Sequence, residues 1–264
     1  MQMRPETRAA LAAVDAGLML MRRRAGADQI TSKGGRDLVT ATDVAVEDAV
    51  RASLLSAYPD WTVVGEERGG EDQIGDRPYW LVDPICGTRN FASNIPLYAC
   101  NIALVQDGQL EVCAVGDGGT GERYIAERGN GAFMMEQSDP REIHTSADSQ
   151  IVCFSSNTGK GSLQPNIGAD FAYAAIKADR WDLRMLSSTL SMAYVASGRL
   201  AAYLLFDISS PVHIAAGALL CQEAGGTVTG STGEPWTVEH TSILAAATPE
   251  LHADITDLIA TAAR

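Results

Sequence analysis

The sequence predicts an α+β protein built in two halves, and three patterns lead to that expectation. Helical apolar stripes stand near both ends of the chain. Between them runs a series of short apolar segments punctuated by Gly- and Asp-containing turns. A polar stretch, Gln137 to Gln150, interrupts the series, and strand and helix signals resume after it. The expected division is therefore residues 1–140, an N-terminal half, and 141–264, a C-terminal half that completes the site.

The first helix is predicted from about Glu6 to Arg24, with basic residues in its last turn and Gly26 beyond it. A turn-rich connector, Thr31 to Arg36, follows. The second helix is expected after Asp43, with Val46, Val50 and Leu54 on one face, ending before Pro59. Trp61 to Gly65 and Tyr79 to Val82 are apolar runs of strand length. Ile102–Val105 and Leu110–Val115 flank Gln106-Asp107-Gly108-Gln109, a hairpin signal. Tyr124–Ala126 and Ala132–Met135 continue an antiparallel sheet. In the second half, Ile151–Phe154 reads as a strand, Ser187–Ser197 as a helix and Ala201–Leu205 as a strand. Val212–Ala224 reads as a helix with Ser210 as N-cap and Pro211 in its first turn, closed by Gly225-Gly226. Thr248-Pro249 opens a final helix with Leu251, Ile255, Leu258 and Ile259 on one stripe.

At 264 residues and 46% hydrophobic, the chain can bury one large core or two fused smaller ones. Its 20 Lys+Arg against 33 Asp+Glu give a net charge of −13. That balance argues against a nucleic-acid partner or an anionic membrane surface, both of which require a basic patch. Ala9 to Met21, interrupted by Asp15, reads as an amphipathic helix and not as a signal peptide, and no stretch reaches the roughly 20 apolar residues of a membrane span. The five cysteines, at 86, 100, 113, 153 and 221, sit mostly in apolar runs, as reduced buried thiols do. The expected location is the cytoplasm.

Chemistry concentrates at two strand ends. Glu66-Glu67 closes the first apolar run, and Asp83-Pro84-Ile85-Cys86-Gly87-Thr88 closes the second. Open α/β sheets place their sites at such carboxyl ends, and paired carboxylates suit a hard cation. A cysteine in the middle of that set does not.

These residues resemble the inositol monophosphatase family of magnesium-dependent, lithium-sensitive sugar-phosphate phosphatases. The resemblance rests on Asp37-Leu38-Val39-Thr40-Ala41-Thr42-Asp43, Gly65-Glu66-Glu67, Trp80 to Phe91, Arg184 to Arg199, Ile214 to Gly217, and Glu223 to Gly226. It implies a layered αβαβα sandwich of the inositol monophosphatase/fructose-1,6-bisphosphatase type, often a homodimer, acting on a small molecule. Carried over residue by residue, Glu66, Asp83 and the carbonyl of Ile85 would hold a first metal, and Asp43 and Thr88 would polarise the attacking water. Backbone amides at Gly87 and Thr88 would cradle phosphate. The second metal is held in the family by Asp83 and two further aspartates, whose places are taken here by Cys86 and His213. Asp207 matches the family's sugar-contacting acid only across a one-residue gap.

Three readings follow. In the preferred one, Cys86 is a nucleophile, His213 its general base, Asp83 the orienting acid, and the Gly87 and Thr88 amides an oxyanion hole, for acyl transfer or hydrolysis with no cofactor required. The alternative is a metal-dependent sugar or inositol phosphate phosphatase with altered metal preference. There, Glu66, Asp83, Cys86 and His213 form a mixed donor set that suits Zn²⁺ or another borderline-soft ion better than Mg²⁺, while the first site could still take Mg²⁺ alone. The third is a binding protein without catalysis.

Overall fold

The computed structural model describes residues 2–23, 30–34, 37–137, 139–155, 167–206, 210–240 and 242–262. Helix α1 (Pro5–Arg23) buries Ala10, Ala13, Val14, Leu18 and Met21. Strands β1 (Ile30–Gly34) and β2 (Asp37–Thr40) pair antiparallel, so the expected turn-rich connector contains half of a hairpin; it has no apolar alternation to betray the strand. Helix α2 (Ala41–Ala57) starts before Asp43, not after it. Thr40 is its N-cap and Asp43 the third residue of a reciprocal capping box, an arrangement that holds both side chains inside the helix start. Val46, Val50 and Leu54 are buried as expected, and the helix closes at Tyr58.

Strands β3 (Thr62–Gly65), β4 (Tyr79–Cys86), β5 (Ala99–Gln106), β6 (Gln109–Asp117), β7 (Arg123–Glu127), β8 (Gly131–Glu136) and β9 (Asp139–Ile143) form a seven-stranded sheet in sequence order. β3 and β4 are parallel, and the remaining neighbours are antiparallel. Asp107 and Gly108, both with positive φ, make the two-residue turn between β5 and β6. The polar stretch after Gln137 still contributes β9, so the expected 140/141 division falls within a strand of this sheet.

The chain continues through β10 (Ile151–Ser155), α4 (Ile167–Ala178), β11 (Asp182–Arg184), α5 (Leu190–Ala196), β12 (Ala202–Leu205), α6 (Ala215–Glu223), β13 (Thr227–Thr229), β14 (Ile243–Ala246) and α7 (Pro249–Ala262), whose five strands form a second sheet in the order β11-β10-β12-β14-β13. β14 escaped the sequence reading because its four apolar residues merge into the alanines before the last helix, where period alone cannot separate strand from helix. The helix expected from Val212 is interrupted. Pro211–His213 is a 3-10 turn capped by Ser210, and α6 begins at Ala215.

Three apolar cores lie between five layers. One joins α1 and α2 to one face of the large sheet through Val14, Met21, Val50, Trp80 and Ile102. The middle core packs α5 and α6 between the sheets through Leu190, Leu219, Tyr124 and Tyr203. The third sets α4 and α7 on the outer face of the small sheet through Phe171, Phe154, Leu204 and Ile255. This is the expected αβαβα sandwich. Among the described residues no helix is long and apolar enough to cross a membrane.

Candidate active site

Parallel pairing of β3 with β4 sets Gly65 opposite Val82, so Glu66 and Asp83 leave adjacent strand ends side by side. Glu66 is anchored from behind. Glu47 on α2 is fully buried and accepts hydrogen bonds from the backbone N–H of Glu67 (2.7 Å) and Arg68 (3.1 Å) and from Arg51 Nε (2.9 Å). Arg51 in turn donates to the carbonyls of Val63 and Gly69. Gly65 is required by this packing, since a Cβ there would stand 2.0 Å from Glu47 Oε1.

The antiparallel register of β4 on β5 slips by one residue between Asp83 and Cys86: Asp83 faces Asn101, and Cys86 faces Ala99. This β-bulge at Pro84-Ile85, where proline has no N–H to give the ladder, changes which side chains share a face. Without it Ile85 would project alongside Asp83. With it Cys86 does so, and Ile85 is buried toward α1 and α2. Gly87 then turns the chain with φ +99° into the short helix α3 (Thr88–Ala92), a conformation unfavourable for any residue with a Cβ.

Asp83 is fully buried. Its Oδ2 lies 2.8 Å from His213 Nδ1, while its Oδ1 has no hydrogen-bond partner among the described residues. A buried carboxylate oxygen left this way is costly unless a cation meets it. Glu66 Oε2 lies 3.9 Å from the same imidazole nitrogen. One donor atom each from Glu66, Asp83 and His213 falls within 4.8 Å of the other two, a cluster able to hold a metal ion. Two carboxylates and an imidazole suit borderline ions such as Zn²⁺ or Mn²⁺ as well as Mg²⁺.

Cys86 is engaged by the start of α5. Its sulfur lies 2.7 Å from Thr189 Oγ1 and accepts from Thr189 N–H at 3.2 Å, and its carbonyl accepts from Ser188 Oγ at 3.0 Å. Burial, reinforced by the negative charge of Asp83, pushes the thiol well above its ordinary range. Cys86 and His213 therefore each have a different partner: Thr189 for the sulfur, Asp83 for the imidazole.

Asp43 is also fully buried, with Thr88 Oγ1 donating to its Oδ1 at 3.0 Å and Thr40 N–H to its Oδ2 at 2.9 Å. Burial raises its pKa above the ordinary carboxylate value, and the hydrogen bonds from Thr40 and Thr88 oppose that rise. Thr88 Oγ1 also lies 3.1 Å from the Ile85 carbonyl, which ties the first-metal and water-polarising candidates to one hydroxyl. Asp207 lies outside the described residues. The other histidines have partners elsewhere: His144 Nε2 lies 3.9 Å from Glu142 Oε1, His240 Nδ1 accepts from Thr237 N–H, and His252 Nε2 on α7 pairs with Thr229 Oγ1 on β13.

Residues absent from the sequence reading complete the site. Glu47 was legible as the middle of a polar stripe with Asp43 and Arg51, spaced four residues apart on α2. Asn101, one polar residue within the buried run of β5, also carried a signal. Thr189 carried none.

Comparison with known proteins bears on the chemistry. The sequence model of the inositol monophosphatase family matches residues 2–263. An inositol-1-monophosphatase of Mesorhizobium japonicum is 34% identical over 224 residues, covering 82% of this chain and 81% of that protein. Nus factor SuhB of Pseudomonas aeruginosa is 33% identical over 254 residues, covering 89% and 88%. Among solved structures, the extragenic suppressor protein suhB of Bartonella henselae superposes with a TM-score of 0.86 at 25% identity, covering 97% of this chain and 98% of that one. The Thermotoga maritima IMPase gives 0.82 at 25%, covering 96% of both. These matches correct the expectation that no cofactor is required, because the enzymes of this family depend on Mg²⁺. The residues present fit a bound cation, as the orphaned Asp83 Oδ1 and the Glu66–Asp83–His213 cluster attest. Matched along nearly its whole length, the chain belongs to the inositol monophosphatase family, a family of phosphatases.

Proposed function

We propose that this protein is a metal-dependent phosphoric monoester hydrolase acting on a sugar or inositol phosphate, with a metal preference altered by His213. The observation that carries the proposal is the clustering of donor atoms from Glu66, Asp83 and His213 within 4.8 Å of one another, with Asp83 Oδ1 lacking a hydrogen-bond partner among the described residues. Glu66, Asp83, the Ile85 carbonyl and His213 would hold the ion. When bound, the metal supplies Lewis-acid stabilisation of phosphoryl charge and lowers the pKa of a coordinated water. Asp43 and Thr88 would polarise and orient the attacking water, whose proton passes to the Asp43 carboxylate, and the Gly87 and Thr88 amides would receive the phosphate. Cysteine chemistry has less support, because the Cys86 thiol is buried, engaged by Thr189 and held protonated by its surroundings.

The preference for a small phosphate ester over nucleic acid rests on the net charge of −13. A homodimer belongs to the same reading. Tyr173, Ile176 and Met185 expose large apolar surfaces on the C-terminal half, and light scattering would give twice the chain mass.

The test is turnover of p-nitrophenyl phosphate and of inositol and sugar monophosphates after EDTA treatment, with Mg²⁺, Mn²⁺ or Zn²⁺ restored in turn. EDTA is expected to abolish activity and at least one ion to restore it, while iodoacetamide at neutral pH leaves it largely intact. Activity that survives EDTA, or no phosphoester turnover with any ion, overturns the proposal.

The buried Asp43 adds a pH prediction. It must be ionised to accept a proton, so activity is lost as pH falls through a pKa raised above the ordinary carboxylate value. Thr88→Val deletes a hydrogen bond that favours the charged form. The acid limb of kcat/KM against pH is therefore expected to move to higher pH in that variant; a limb that stays put or moves down contradicts the assignment.

A further inference from the structure

We infer that Thr189 and Asn101 are positioning residues of this site: they form a buried relay from Cys86 to the main chain of His213 that fixes the imidazole beside Asp83. The inference rests on the proposed metal-dependent function.

The relay starts on β5. Asn101 stands opposite Asp83 in register and is only 2% exposed. A side-chain amide carries two N–H bonds, and Asn101 Nδ2 reaches two different segments: Thr189 Oγ1 at 3.0 Å and the His213 carbonyl at 3.4 Å. Thr189, at the start of α5 and also buried, extends the chain to Cys86 Sγ through both its hydroxyl and its N–H. Four elements thus meet through one amide and one hydroxyl: the bulge of β4, strand β5, the cap of α5 and the 3-10 turn bearing His213.

A purely structural reading fits this arrangement poorly. The surroundings are the apolar middle core, where a hydrophobic side chain at either position would pack without needing hydrogen-bond partners. The polar groups are instead aimed at the two positions where the resemblance places aspartates. The adjoining backbone is also strained. Ser187 has φ +53°, a conformation a residue with a Cβ keeps only when its neighbours hold it. Those neighbours are Ser188, bonded to the Cys86 carbonyl, and Asn90, whose Nδ2 donates to the Leu186 carbonyl at 2.7 Å. Cys86 accordingly serves the site through Thr189, as an anchor.

The test compares Thr189→Val, which keeps the shape and removes the hydroxyl, with Thr189→Ser, which restores it. Zn²⁺ alone is the probe, its dissociation constant is measured by calorimetry, and the ¹H–¹⁵N signals of the His213 imidazole are recorded in the metal-free protein. Thr189→Val is expected to weaken Zn²⁺ binding about 10–100-fold, as loss of an orienting partner does, and to broaden or split the imidazole signals. Thr189→Ser is expected to stay close to wild type in both. Unchanged affinity and signals in Thr189→Val, even with a lowered melting temperature, would reduce the relay to packing and overturn the inference; so would failure of Thr189→Ser to rescue. If Thr189→Val does not fold, Asn101→Ser replaces it with the same expected outcomes. A wild-type protein that binds no Zn²⁺ overturns the Zn²⁺-capable metal site instead, and the imidazole signals then decide the relay by themselves.

Discussion

Asp83→Asn is expected to abolish phosphatase turnover while leaving the metal-free protein at least as stable as wild type. The two effects have opposite origins. Asp83 stands beside Glu66 and contacts His213, and its carboxylate is fully buried with Oδ1 lacking a hydrogen-bond partner among the described residues. Burying that charge costs the empty protein free energy, and asparagine relieves it at nearly the same volume. A bound cation turns the cost into attraction, so neutralising the side chain removes the strongest contact of the site. Zn²⁺ or Mn²⁺ affinity is expected to fall by more than the roughly 100-fold upper range seen when only an outer-shell partner is lost. Calorimetric titration and a melting curve in EDTA read the two effects separately. Retained metal affinity, or collapse of the fold with EDTA present, would show that Asp83 is structural.

Glu47→Ala is expected to produce the largest loss of stability. This buried carboxylate pairs with Arg51 and caps two backbone N–H groups in the turn after β3. Removing one member of a buried ion pair leaves the other uncompensated and costs about 3 kcal/mol or more. In a chain of this size that corresponds to a fall of roughly 10 °C in melting temperature. The same change loosens the segment that carries Glu66, so metal affinity drops with stability. Thermal unfolding with and without metal checks it; a melting temperature within a degree or two of wild type would show that the turn is held by other contacts.

Most elements were legible because each leaves a periodic trace, whereas the order of the layers came from the family resemblance alone. The i, i+4 apolar stripe of α2, the Asp107-Gly108 turn between matched strands and the Ser210-Pro211 cap are local signals, and each stands where it was expected. Glu66 and Asp83 were legible for a related reason: a strand end followed by a turn is a local feature, and parallel pairing of the two strands does the rest. What stayed hidden depends on non-local register. Cys86 and His213 both replace family aspartates, which suggested that they face each other as a reactive pair. Thr189, 103 residues from Cys86 along the chain, hydrogen-bonds the sulfur, and no local pattern in the sequence announces that contact. The elements that went unread, α4 and β13 among them, are short or built from small residues whose pattern is compatible with either state.

The bulge at Pro84-Ile85 makes this hexapeptide a counting device. Its identity at position 86 is open to change, since aspartate and cysteine project into the same space from the same backbone. Its slipped register is not. Were the six residues to pair with β5 without the slip, position 86 would fall opposite Tyr98, its side chain would turn toward α1 and α2, and Ile85 would take its place beside Asp83. Chemistry can therefore drift at this position by substitution only while the slip is kept.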